Sequence, residues 1–152
     1  MSQPPRRAAI VQVRMLPAPP REVFAAWSEP DGLAAWMCPS ADIRGASVEI
    51  DFRVGGRFRI IMHGDSDYRH HGEFLEIDPP RRIVMTWVSE WLPEDRATTR
   101  LDVTFEPVGA SETKITLVHD ELSDDGSYEG HETGWPTILE KLSHHLEKKE
   151  SK

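Results

Sequence analysis

Three stretches of this chain alternate apolar and polar residues with a period of two. They are Arg57 to His63, Leu101 to Phe105 and Ile115 to His119. In the first, Phe58, Ile60 and Met62 share one parity. In the second it is Leu101, Val103 and Phe105, and in the third Ile115 and Leu117, with His119 continuing the row. Successive side chains on a strand point to opposite faces, so each stretch reads as a strand with one buried face. One helix-period stripe follows, carrying Trp135, Leu139, Leu142 and Leu146. Half-buried strands followed by a long terminal helix predict an α+β fold, a curved antiparallel sheet wrapped around that helix. Such a shape is a container.

Other elements are read from punctuation. Ala8 to Leu16 alternates, with Ile10 out of step, and predicts the first strand. Pro17, Pro19 and Pro20 stop it, and Pro20 suits a helix start. Val23, Phe24, Ala26 and Trp27 then form a helical face. Ser28 or Asp31 is the expected cap of a second short helix, carrying Leu33, Ala34 and Trp36 and ended by Pro39. Asp42 to Asp51 reads as a strand bulged at Gly45, and Gly55–Gly56 as a turn. Asp65, Ser66 and Asp67 predict a loop, as do Pro93, Glu94 and Asp95. His70 to Ile77 and Ile83 to Val88 flank a hairpin-type connection at Asp78-Pro79-Pro80-Arg81. Thr98 to Glu106 and Glu112 to His119 flank another at Pro107-Val108-Gly109-Ala110. Asp120 to Glu132 reads mostly as loop. Thr137 to Lys148 is helix, and Pro136 either opens it or kinks a helix begun earlier. Without repeats or a linker, residues 1–152 are expected to form a single domain with its core at about 8–148.

Charge narrows the partners. With 26 acidic against 18 basic residues, the formal net charge is −8. A negative field repels phosphate backbones and anionic lipid, which argues against nucleic acid or a membrane surface. Arg6–Arg7, Arg81–Arg82 and Lys148–Lys149 read as solvated ends and turns, not a stripe. The single cysteine, Cys38, allows no internal disulfide. Only a short apolar stretch, broken by Gln12 and Arg14, follows Arg6–Arg7, so no signal peptide or membrane insertion is expected and the location predicted is cytoplasmic.

Seven histidines and five tryptophans offer several chemistries. The pairs His70–His71 and His144–His145 point apart, and no Cys or His pair has structural-zinc spacing. His131–Glu132 lacks the second histidine of a zinc-hydrolase helix. The expectation is surface histidines, with no metal and no cofactor. Asp120, Glu121, Asp124, Asp125 and Glu129 lack the alternating ligands of a calcium loop and read as a solvated segment. Val54-Gly55-Gly56-Arg57 leads into a strand, not a helix, so turn geometry explains it better than a phosphate cradle. Cys38 has no assignable base and reads as a packed thiol. His119 reads either as a core histidine satisfied by a backbone carbonyl, or as a polar anchor or proton donor in an apolar pocket. The tryptophans Trp27, Trp36, Trp87, Trp91 and Trp135 serve equally as core or as cavity wall.

The order of these pieces has a counterpart. Pro20 to Trp27, Pro30 to Trp36, Arg53-Val54-Gly55-Gly56-Arg57-Phe58 and the run Gly72 to Trp87 come first. Val103 to Val108, Leu117-Val118-His119-Asp120-Glu121-Leu122 and Gly134–Trp135 follow. From about Ala8 to Leu146 the chain resembles the family named for activators of the ninety-kilodalton heat-shock chaperone ATPase. That family belongs to the START-like, birch-pollen-allergen-like superfamily. The resemblance implies a helix-grip fold of about six to seven strands, two short helices after the first strand, and a cavity for small apolar or amphipathic molecules. Some superfamily members catalyse reactions in that cavity, aromatic polyketide cyclases among them. The chain departs from the pattern at Met37-Cys38-Pro39, where many relatives have a second tryptophan, and at Pro136 directly after Trp135. It is also expected to carry no separate N-terminal domain of the kind through which the eukaryotic co-chaperones make much of their chaperone contact.

The leading expectation is a non-enzymatic binding protein holding a small apolar or lipid-like ligand. Its predicted walls are Phe58, Ile60 and Met62, Phe74, Leu101 and Val103, and Leu117, with Trp36, Trp135 and Leu139 from the helices. Trp87 joins them although both faces of its strand are apolar, so parity does not place it. His119 is the expected anchor. The alternatives are a cyclase or hydrolase using His119, with His131 or Glu132 as the second titratable group, and a chaperone-interaction module.

Overall fold

The computed structural model describes residues 8–40, 43–122 and 127–150. Its seven strands are β1 (Ile10–Leu16), β2 (Gly45–Ile50), β3 (Arg57–His63), β4 (Asp67–Asp78), β5 (Arg82–Ser89), β6 (Thr98–Val108) and β7 (Glu112–Asp120). They form one antiparallel sheet in the order β1-β7-β6-β5-β4-β3-β2. Helices α1 (Pro20–Ser28) and α2 (Pro30–Trp36) follow β1, α3 (Glu94–Ala97) is a single turn, and α4 (Ser127–Glu150) is the long terminal helix. This is the α+β helix-grip arrangement expected.

The alternating parity governs burial as predicted. Phe58, Ile60 and Met62 face inward on β3, Leu101, Val103 and Phe105 on β6, and Ile115, Leu117 and His119 on β7. Trp135, Leu139, Leu142 and Leu146 of α4 are buried with them. Gly72 on β4 is required by close approach, because a Cβ there would collide with the Thr86 carbonyl and the Phe58 ring. Gly55 has a φ of 85°, which the turn before β3 demands.

Several local expectations are corrected. On β1 the buried residues are Ile10 and Leu16, while Val11, Val13 and Met15 are exposed. The register with β7 decides this: Ile10 pairs with His119 and Gln12 with Leu117, and directly opposed residues share a face. Neither Ser28 nor Asp31 caps α2. Glu29 occupies that position without a side-chain bond, Pro30 follows it, and the Ser28 hydroxyl donates back to the Ala25 carbonyl. Gly45 opens β2 in regular register opposite His63. The irregularity in the sheet lies instead between Phe74 and Glu76. Asp67 already belongs to β4, and the Pro93–Asp95 segment enters α3.

The most consequential correction concerns α4, which begins at Ser127, so Gly130, His131 and Glu132 are helical and Pro136 lies inside the helix. Residues Asp42, Asp124, Asp125 and Gly126, the Arg6–Arg7 pair and the side chains of Lys148–Lys149 lie outside the described portion. No helix of the described residues is long and apolar enough to cross a membrane.

Candidate functional site

A cavity of about 460 Å³ lies between the first turns of α4 and the strands that face them. Met62 of β3, Tyr68 and His70 of β4 and Trp87 of β5 supply its sheet side. Trp91 and Leu92, in the segment between β5 and α3, and Pro39, Ser40 and Ile43, after α2, close further sides. Gly130, His131, Thr133, Gly134, Trp135 and Ile138 come from α4. Trp91 and Tyr68, 48% and 40% exposed, meet edge to face at 5.5 Å and mark the solvent side. Among the described residues that line it, none is Asp, Glu, Lys or Arg.

Of the residues predicted as walls, Met62, Trp87 and Trp135 line this space. Trp36, Phe58, Ile60, Phe74, Leu101, Val103, Leu117 and Leu139 belong to the closed core cluster and do not border it. Trp36 packs against Trp27 at 4.8 Å and donates its indole N–H to the Ala26 carbonyl. The two tryptophans thus stiffen the junction of α1 and α2.

His119 is fully buried, and both of its ring nitrogens are engaged. Trp135 Nε1 donates to Nδ1 at 3.0 Å, which leaves the imidazole proton on Nε2. Nε2–H then donates to Thr99 Oγ1 at 2.7 Å, and the Thr99 hydroxyl donates to the Trp87 carbonyl at 2.7 Å. Burial drives the His119 pKa well below its ordinary value, helped by His131 and His70. It is a neutral core histidine satisfied by side chains, with neither lone pair nor proton left for a ligand. The acid–base role considered for it has no free nitrogen to use.

The surface-histidine expectation fails for His70 and His131, while His119 faces inward as its strand parity predicts. His63 and His71 do sit at the surface, paired with Asp67 and Glu90. His70, His119 and His131 instead form an internal group, with ring centroids 4.7 Å apart for His119–His131 and 6.2 Å for His70–His131. His131 Nε2 accepts the Trp87 indole N–H at 3.3 Å. Glu132 is exposed and off the wall. Among the described residues no group of three or more His, Cys, Asp or Glu is placed to hold a metal ion.

His70 is the residue that the sequence reading passed over. It is 3% exposed, packed against Trp87 at 4.7 Å and Trp91 at 4.9 Å. Its Nδ1 is buried without a hydrogen-bond partner among the described residues. Burial, with His131 and His71 adding, pushes its pKa down to about 3, so the ring is neutral. A signal did exist: His70 shares the parity of Phe74, itself an expected wall residue. Trp91 carries no such signal, because it lies outside any strand.

A sheet of this order gripping a C-terminal helix defines the START-like class. Residues 17–147 match the family model described as Activator of Hsp90 ATPase homolog 1-like protein, and the chain belongs to that family. Among solved structures it is similar to a protein from Chromobacterium violaceum, 26% identical with a TM-score of 0.76, the match covering 90% of this chain and 94% of the other. An HSP90 activator from Plasmodium falciparum is 25% identical, with a TM-score of 0.76 over 92% of this chain and 96% of that one. A protein from Nitrosomonas europaea shares the fold at 21% identity and a TM-score of 0.79, covering 95% and 97%. No curated protein sequence matches the chain.

Proposed function

We propose that this protein binds a small apolar or amphipathic molecule in the cavity beside the first turns of α4. The observation that carries the reading is the 460 Å³ space itself, walled by Trp87, Trp91, Trp135, Met62 and Ile138. Its size falls within the roughly 300–1,000 Å³ range of ligand pockets, and aromatic walls with few polar groups are their usual composition. Three tryptophans on the wall make binding visible. A library of lipids, polyketides and aromatics should contain compounds that change tryptophan emission and raise the melting temperature. A library producing neither change, together with protein from its own host that carries no co-purified molecule, sinks the reading.

A second reading, stimulation of the ninety-kilodalton chaperone ATPase, is favoured by the family description and by the Plasmodium falciparum relative. It predicts faster ATP hydrolysis by a purified chaperone and sensitivity to outer-surface substitutions. Unchanged hydrolysis across a titration removes it.

A further inference from the structure

The polar groups around the cavity are nearly all spent. Trp87 Nε1 bonds His131, Trp135 Nε1 bonds His119, and the Thr133 hydroxyl donates to the Glu129 and Gly130 carbonyls of its own helix. Ser40 is engaged as well. The Tyr68 hydroxyl belongs to the exposed rim, and the buried exception is His70, a wall residue 3% exposed whose Nδ1 has no partner among the described residues. A buried, unsatisfied nitrogen is costly, and native proteins rarely leave one without a bound group to complete it. A half-turn of the ring about Cβ–Cγ exchanges Nδ1 with Cδ2, so the imidazole can offer a nitrogen along either edge.

Among the described residues the wall carries no charge: a carboxylate or phosphate entering it would find no Lys or Arg there, and an amine no Asp or Glu. Among the described residues, the titratable groups facing His70 are His131 on α4, His71 on its own strand and His119 on β7, with Tyr68 at the rim of the same cavity. An ion desolvated here without a counter-charge would be heavily penalised.

We propose that His70 is the polar recognition group of this cavity and that its ligand is a neutral, flat aromatic molecule bearing a hydroxyl. The hydroxyl bonds the imidazole nitrogen while the ring lies among Trp87, Trp91 and Tyr68. A hydroxyl suits a neutral imidazole because it can donate to an unprotonated nitrogen or accept from a protonated one. This inference rests on the binding function proposed above and adds the chemical class.

Three probes of one shape test both: naphthalene, 2-naphthol and 2-naphthoate, titrated calorimetrically into the full chain and into His70→Phe. In the unmodified protein 2-naphthol should bind about tenfold tighter than naphthalene, the worth of one well-made hydrogen bond. 2-Naphthoate should bind more weakly than either. In His70→Phe the naphthol preference should vanish while naphthalene binding survives. Raising the pH through the ionisation of 2-naphthol should weaken its binding to the unmodified protein, a result that needs no variant to fold. Equal affinities for naphthalene and 2-naphthol overturn the His70 assignment and leave the cavity reading standing. Tighter binding of 2-naphthoate overturns the neutrality argument. No binding of any probe overturns the aromatic-hydroxyl assignment, whereas the cavity reading falls only if the wider library and the co-purified material are also blank.

Discussion

The two halves of α4 meet the sheet in opposite ways. Its second half contributes Leu139, Leu142 and Leu146, each no more than 1% exposed, to a closed core. Its first half offers Gly130, His131, Thr133 and Gly134, and a cavity stands beside them. Ile138 and Trp135 belong to both, buried in the core cluster and bordering the space. Large residues also face this first half from the sheet, including Met62 and Trp87. The difference is therefore on the helix: small and polar residues leave a gap that leucines at the same spacing would fill. Gly134 shows how tight the rim is, since a Cβ there would lie 3.0 Å from Pro39 Cβ.

This contrast can be broken experimentally, beginning at the packed half. Leu142→Ala should cost about 2–5 kcal/mol in chemical denaturation, the range for truncating a fully buried leucine. A loss below about 1 kcal/mol would mean that the second half is no better packed than the first.

Acid comes next. A histidine whose folded pKa is depressed binds its proton in the unfolded chain first, so stability is complete above the unfolded pKa near 6.5 and falls as pH drops towards the folded value. For His70, with a folded value of about 3, the slope is about 1.4 kcal/mol per pH unit across that window, or roughly 3 kcal/mol by pH 4. His119 acts in the same sense. Denaturation curves at pH 7, 5.5 and 4 check the slope, and His70→Phe should remove its share of it. A flat profile in the unmodified protein would contradict the burial of both rings.

Replacing His119 separates the hydrogen-bonded core from the open site. His119→Phe strands the Trp135 indole N–H and should cost about 1–3 kcal/mol. The preference for 2-naphthol over naphthalene should persist, and its loss would move recognition from His70 to His119. Trp91→Ala, at a half-exposed rim position, should change stability by no more than about 0.5 kcal/mol. It should nevertheless weaken the aromatic probes, as titration would show. An unchanged affinity would take Trp91 off the wall.

The strands and the grip helix were legible because burial on one face imposes a period of two on strands and 3.6 on helices. Phe58, Ile60 and Met62 obey the first rule, and Leu139, Leu142 and Leu146 the second. The β1 face was misleading, because Val11, Val13 and Met15 form the more apolar row yet face outward. Pairing to β7 overrode local pattern there. The opening turns of α4 were hidden by Gly130 and Pro136, which argue locally against a helix that tertiary packing nonetheless supports. Parity could also say that a residue faces inward without saying whether its neighbour across the gap is a leucine or empty space. Leu101 and Met62 look alike in sequence, and only one of them borders the cavity.

From its residues alone, this chain settled the α+β class, the inward rows of β3, β6 and β7 and the stripe of α4, since each follows from short-range periodicity. The tertiary structure alone decided where that stripe stands off from the sheet, that His119 spends both nitrogens on Trp135 and Thr99, and that His70 keeps one unspent among the described residues. Cavities and hydrogen-bond partners depend on how distant segments meet in space, and no local period encodes that distance.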